Sequence, residues 1–169
     1  MEQIVRKFIE HALSGEDILN ICNNKAVLHA VSKLKNFNTI DDVLGQYGAC
    51  ILLYDYPSGE PGHWSCIFKR SNNVLEFFCP YGLKPDDAND ITGGPPYLTY
   101  LINKSRYHIL YNDYQLQTYS KSVNVCGRYV GMRLQLRDYP LREFIDLFTK
   151  NKHYNSDFWI TTLTLFCEN

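Results

Sequence analysis

Cys126 stands in the string Val125-Cys126-Gly127-Arg128-Tyr129, where a stretch that reads as strand gives way to one that reads as helix. A helix start brings unpaired backbone N–H groups and partial positive charge beside the sulfur. Both favour the thiolate, the nucleophilic form of cysteine. Gly127 adds no side chain to crowd an approaching substrate. The same junction also suits a buried structural cysteine, so a nucleophile reading needs a base. His63 follows a Pro/Gly loop, opens an expected strand and precedes Trp64. A neutral imidazole, with a pKa of about 6.5, can take a thiol proton to give a thiolate–imidazolium pair. Taken alone, His63 reads equally well as a surface or packing histidine, but His11, His29, His108 and His153 lack comparable surroundings.

Gln117 lies nine positions before Cys126, on a segment that alternates like a strand. A side-chain amide N–H there suits a developing oxyanion, a role worth about 3 kcal/mol in a transition state. Gln115 competes for the role, because alternation puts both glutamines on one strand face, and a solvated strand residue is the plainer alternative.

These residues need a scaffold, and the pattern supplies one. Apolar positions at Ile4, Val5, Phe8, Ile9 and Ala12 predict a helix over 2–13, ended by Ser14-Gly15, and a second helical stretch over 16–34 broken near Asn23-Asn24. Thr39 or Asp41 suits a cap before Leu44. The run 49–54 is continuously apolar, as in a buried strand. A turn-rich loop over 57–62 leads to strands at 63–69 and 74–79, a hairpin stopped by Pro80-Tyr81-Gly82. A long polar loop at 84–96, of a length that is often functional, precedes a short helix at 97–105 and strands at 107–111 and 114–119. Helices follow from Gly127 to Pro140, over 141–150, and over 157–166, the last capped by Ser156 or Asp157. Helices, then a block of strands, then helices indicate an α+β class.

The bulk numbers bound the function. The 169 residues, 45% hydrophobic and 21% charged, are expected to form one domain, 1–169, with a sizeable core. A net charge of −1 advertises no nucleic-acid surface. No apolar run reaches the roughly 18 residues of a membrane helix, and the amphipathic N-terminus lacks the apolar centre of a signal peptide. The six cysteines form no C-x-x-C pair, which fits a reducing compartment and mostly buried thiols rather than a disulfide framework.

The strings Gly62-His63-Trp64, Phe77-Phe78-Cys79-Pro80-Tyr81-Gly82, Leu116-Gln117 and Val125-Cys126-Gly127-Arg128-Tyr129 occur in the order found in adenovirus-protease-like cysteine peptidases. That group includes the adenovirus maturation protease, adenain-like proteases of other large DNA viruses and virophages, and the SUMO-specific proteases. The resemblance covers roughly residues 47–135. It implies a papain-like α+β fold with a central mixed sheet flanked by helices. It also implies His63 as base, Cys126 as nucleophile, Gln117 at the oxyanion hole, and Trp64 narrowing a cleft that favours small residues, often Gly, before the cut.

The sequence departs from the family at two places. The family has Asp, Glu or sometimes Asn before the Pro-Tyr-Gly-like turn, and here that slot is Cys79, a weak acceptor for an imidazole. Glu76 sits three residues away, which reverses the strand face, while Asp86 and Asp87 lie in the long loop. A Cys–His dyad with Cys79 as weak orienter, an acid from elsewhere, and a weakened enzyme all remain open. The dyad stands first, because a thiol is already a few per cent ionised at neutral pH. The family also places its Gln six or seven residues before the Cys, against nine here.

The expectation is an endopeptidase that processes viral capsid or core precursors in the host cytoplasm or nucleus and in the virion. It needs no cofactor visible in the sequence. An activating peptide or DNA, used by the adenovirus enzyme, leaves no trace in this near-neutral chain. The compact chain, without a regulatory N-terminal extension, favours maturation over the alternative, removal of a ubiquitin-like modifier. Other readings are a pseudoprotease binding module, favoured by the missing acid, and a zinc site at His63, Cys79 and Cys126, disfavoured by the unpaired ligand spacing.

Overall fold

The structure is a computed structural model and describes residues 2–56, 58, 62–150 and 153–167. The expected turn at 57–62 lies mostly outside the described residues. Eight α-helices among the described residues surround a five-stranded mixed sheet: α1 Glu2–Ile9, α2 Gly15–Ile21, β1 Val27–Ala30, α3 Ile40–Leu44, β2 Ala49–Tyr54, β3 His63–Ser71, β4 Val74–Phe78, α4 Asn89–Thr92, α5 Tyr97–Asn103, β5 His108–Tyr111, α6 Cys126–Gln135, α7 Leu141–Thr149 and α8 Ser156–Thr164. The strands lie in sequence order. β2, β3 and β4 pair antiparallel, while β1 on β2 and β5 on β4 pair parallel. The α+β expectation of a mixed sheet flanked by helices holds.

Alternation along the strands divides the core. Ile51, Cys66, Phe68 and Phe78 meet α2, α6, α7 and α8 on one face through Ile18, Tyr129, Val130, Phe144 and Ile160. Cys50, Leu52, Ile67, Leu75 and Phe77 meet α3 and α5 on the other through Val43, Leu44, Leu98 and Leu101. One charged pair is sealed into the first face. Arg133 of α6 donates from Nε and Nη2 to both carboxylate oxygens of Glu76 at 2.7 and 3.0 Å, with neither side chain exposed. The Arg133 guanidinium also lies over the rings of Phe68 and Phe144. A bidentate pair of this kind fixes α6 to β4 in one geometry.

Four sequence expectations need correction. The first helix ends at Ile9, because the carbonyls beyond it are taken from outside: Asn124 N donates to Ile9 O and Asn124 Nδ2 to Glu10 O. Ser14 does not end that helix but caps the next one, in a capping box with Asp17. The second helix stops at Ile21, where Asn23 and Asn24 take φ values of 54° and 55°. The chain then enters β1, a strand short enough to be hidden in helical spacing. Residues 114–119 are not a strand. Leu116 N and Gln117 N both donate to Pro80 O, and Thr118 N donates to Asp157 Oδ2, so no ladder forms. The cap of α8 is Asn155, whose Oδ1 accepts from Phe158 N, rather than Ser156 or Asp157. Thr39 caps α3 with Asp42 in a capping box, as one of the two expected candidates.

Candidate active site

Register brings His63 and Cys79 together. Cys66 pairs with Phe78 and Ile67 with Phe77 across β3 and β4. One step further along the hairpin, Ser65 faces Cys79, and His63 lies two residues on, on the same face and diagonal to the sulfur, within reach of a long side chain. His63 Nε2 stands 3.1 Å from Cys79 Sγ. Gly62 precedes β3, and a Cβ there would collide with the Tyr54 carbonyl oxygen.

Cys79 is held hard in place. Its N–H donates to Asn112 Oδ1 at 3.0 Å, and Asn112 Nδ2 donates back to Cys79 O at 2.8 Å. Burial pushes the Cys79 thiol up, while backbone N–H groups of Leu83, Tyr81 and Gly82 pull it back. Two carboxylates near it in sequence are engaged elsewhere. Glu76 is on the opposite face with Arg133, and Asp86 accepts from Thr99 N and Asn89 Nδ2.

Cys126 opens α6 and is half-buried. It lines a cavity of about 510 Å³ together with His63, Gln117, Tyr81 and Tyr119. In the first turn of α6 Arg128 N donates to Val125 O at 3.0 Å, while the N–H groups of Cys126 and Gly127 face the sulfur. Burial pushes the thiol up to about 11, against hydrogen bonding from the backbone of Trp64 and Gly127, which lowers it. Burial also lowers the His63 imidazole to about 4. The helix start therefore does not win outright: desolvation disfavours both charged forms, and the thiol and the imidazole that line the cavity both favour their neutral forms.

Gln117 reaches the cavity but its amide is occupied. It is 1% exposed, and Nε2 donates to Tyr81 Oη at 3.1 Å and to Val123 O at 3.0 Å. Oε1 is buried without a partner among the described residues. Gln115 turns instead to the Gln117 carbonyl, which accepts from its Nε2. Trp64 and Gly127 do not line this cavity. Trp64 packs on the α2 face of the sheet, with its ring edge near Gly15. Gly127 is buried, and a Cβ there would stand 2.9 Å from Ile18 Cδ1 and 3.2 Å from Leu13 Cβ. Its smallness serves helix packing.

Two residues were given no role in the sequence reading. The Tyr81 ring stacks on His63, centroids 4.6 Å apart at 20°, and Tyr119 meets Tyr81 edge-on at 5.3 Å. Asn112 is the second, a buried side chain just past β5. The signal for Tyr81 was its place in the turn that follows Cys79; Asn112 left none, since its clamp on Cys79 spans 33 residues of sequence. Among the described residues no cluster of three metal-ligating side chains forms, and no helix is long and apolar enough to cross a membrane.

No family model matches the chain. It is 35% identical over 166 residues to the uncharacterized protein V9 of Sputnik virophage, covering 91% of this chain and 94% of that one. The crystal structure of the ASFV pS273R protease matches with a TM-score of 0.52 over 92% of this chain and 68% of that chain, at 16% identity, a likeness of fold. The chain shares the fold of a viral protease and belongs to the family of Sputnik virophage protein V9.

Proposed function

We propose that the chain is a single-domain cysteine endopeptidase of the adenain/SUMO-protease type, cleaving after small residues, with Cys126 as nucleophile and His63 as base. The observation that carries this reading is the shared cavity: the thiol of Cys126 and the imidazole of His63 line it together, with Nε2 of the imidazole already engaged by Cys79. That engagement leaves Nδ1 to take the proton. Cys126 Sγ attacks the peptide carbonyl as His63 accepts the thiol proton; the N–H groups opening α6 stabilise the oxyanion. His63 then protonates the leaving amine, and water hydrolyses the thioester. Gln117 belongs to the same oxyanion side of the cavity, through its contact with Tyr81.

The substrates are proteins, and capsid or core precursors of a virus are the ones we favour, given the virophage relative. Action in the host cytoplasm or nucleus and in the virion follows from such substrates. Removal of a ubiquitin-like modifier is the alternative within the same chemistry, and cleavage of a capsid precursor against a modifier fusion in one assay separates them. The high thiol pKa and the sulfur in the acid slot favour a second reading, a binding module with a weakened site. Iodoacetamide decides between enzyme and module. Selective alkylation of Cys126 near neutral pH, lost in His63→Ala, together with peptide hydrolysis abolished in Cys126→Ala, supports the enzyme. Alkylation no faster than at Cys167, the other half-buried cysteine, overturns it.

A further inference from the structure

The oxyanion donor expected of Gln117 has no free hydrogen. One N–H of its amide goes to Val123 O and the other to Tyr81 Oη. Turning the amide over would set Oε1 against the Val123 carbonyl, so the orientation is fixed. Tyr81 Oη accepts that bond and, among the described residues, donates to nothing. A phenol has one proton to give, and this one belongs to a ring that lines the cavity with Cys126. The ring is also held on both sides, by the stack on His63 and by the edge of Tyr119. Burial, and then the charge of a Cys126 thiolate, push the phenol up, so it keeps its proton at neutral pH and lies close enough to the sulfur to feel its charge.

We propose that the Tyr81 hydroxyl is the side-chain donor to the oxyanion formed when Cys126 attacks a peptide carbonyl, and that Gln117 is a positioning residue that aims it. This rests on the cysteine-protease reading above. In the step, the S–C bond forms, the carbonyl π pair moves onto oxygen, and the thiol proton passes to His63. Tyr81 donates a hydrogen bond to that oxygen and keeps its proton throughout. Collapse re-forms the carbonyl and expels the amine, which takes the proton from His63. The donor is preorganised because Gln117 occupies the acceptor side of the phenol and turns its O–H away from the amide.

Tyr81→Phe tests this, because it keeps the ring that stacks on His63 and removes only the hydroxyl. Two readouts are needed: hydrolysis of a peptide aminocoumarin ending in Gly-Gly, which passes through an oxyanion, and alkylation of Cys126 by iodoacetamide, which does not. The expected result is a fall in kcat of about 100-fold, the usual cost of one oxyanion donor, with the alkylation rate unchanged. Gln117→Leu, which leaves the hydroxyl present but unaimed, should cost less. Full hydrolysis in Tyr81→Phe overturns the proposal, as does a larger loss in Gln117→Leu than in Tyr81→Phe. A parallel loss of hydrolysis and alkylation in Tyr81→Phe also overturns it, since the ring would then act by holding His63. If the unmodified protein neither hydrolyses the peptide nor shows selective alkylation of Cys126, the protease reading itself falls and Tyr81 with it.

Discussion

His63 Nε2 lies 3.1 Å from Cys79 Sγ, a sulfur where the mechanism proposed above calls for an oxygen acceptor. The substitution of sulfur for oxygen is chemical rather than architectural. Cys79 is clamped through its backbone by Asn112, and its side chain faces the N–H groups of Leu83, Tyr81 and Gly82, which suit an anion. What sulfur fails to supply is charge, so nothing offsets the desolvation that takes His63 down to about 4.

Cys79→Asp should therefore raise the pKa of His63. The same backbone N–H groups that face the sulfur would stabilise the carboxylate, and the carboxylate would stabilise imidazolium. The acid limb of the kcat/KM profile should move upward from about 4 towards the ordinary histidine range. At neutral pH kcat/KM should rise about tenfold, a gain of roughly 1.4 kcal/mol in transition-state stabilisation. Cys79→Ala should lower it. A pH–rate profile of the three proteins checks both directions; an unchanged acid limb in Cys79→Asp would mean that the 79 position does not act on His63.

His63 also ties stability to pH. Its folded pKa, about 4, lies below the ordinary 6.5. Between those values the unfolded chain binds a proton that the folded chain refuses, so stability rises with pH across this window and is lost as pH falls through it. The half-buried ring, discounted for partial solvent screening, contributes about 2 kcal/mol of this fall by pH 4. Urea midpoints measured from pH 4 to pH 7 should show a steeper slope in the unmodified protein than in His63→Gln.

The Glu76–Arg133 pair joins the sheet to the helix that carries Cys126. Removing Glu76 leaves Arg133 buried without a carboxylate, and removing Arg133 leaves Glu76 only the more distant Arg70, whose Nε lies 3.6 Å from Oε2; breaking a buried pair typically costs about 3–5 kcal/mol. Glu76→Gln and Arg133→Met should each lower the urea midpoint by that order. The double variant should recover part of the loss, because neither charge is then left alone. Additive losses in a double-mutant cycle would count against the pair acting as a unit.

The strands that carry the site were legible because their signals are local. Residues 49–54 read as buried strand from an unbroken apolar run and form β2 over those residues, and the hairpin of β3 and β4 followed from its turn. β1 was not legible: four residues pair parallel with a distant β2, and nothing in their own spacing says so. The segment 114–119 alternates like a strand, yet its N–H groups are claimed by Pro80 O and Asp157, partners that only the tertiary fold supplies. For the candidate site, the sequence named His63, Gln117 and Cys126, which line one cavity, and Cys79, which lies against His63, but not the burial that sets their protonation. The helix start argued for a thiolate at Cys126, and burial, which depends on everything packed around it, pushes the thiol up to about 11.

Gly127 separates a local reading from a tertiary one, and substitution can tell them apart. Read from sequence, its missing side chain leaves room for substrate, so Gly127→Ala would act on KM. In the structure the missing Cβ faces Ile18 and Leu13, at 2.9 and 3.2 Å, and one helical turn on, Gly131 faces Ile21 at 2.8 Å. The two glycines form the seam where α6 lies against α2, and neither needs an unusual backbone angle, so alanine meets only crowding. Overpacking of this kind costs about 1–3 kcal/mol, offset slightly by the better helix propensity of alanine. Gly127→Ala and Gly131→Ala should each lower the urea midpoint by a similar amount. Both should leave KM for a Gly-Gly peptide unchanged under conditions where the protein stays folded. A raised KM in Gly127→Ala alone, at unaltered stability, would return that residue to the substrate side of the site.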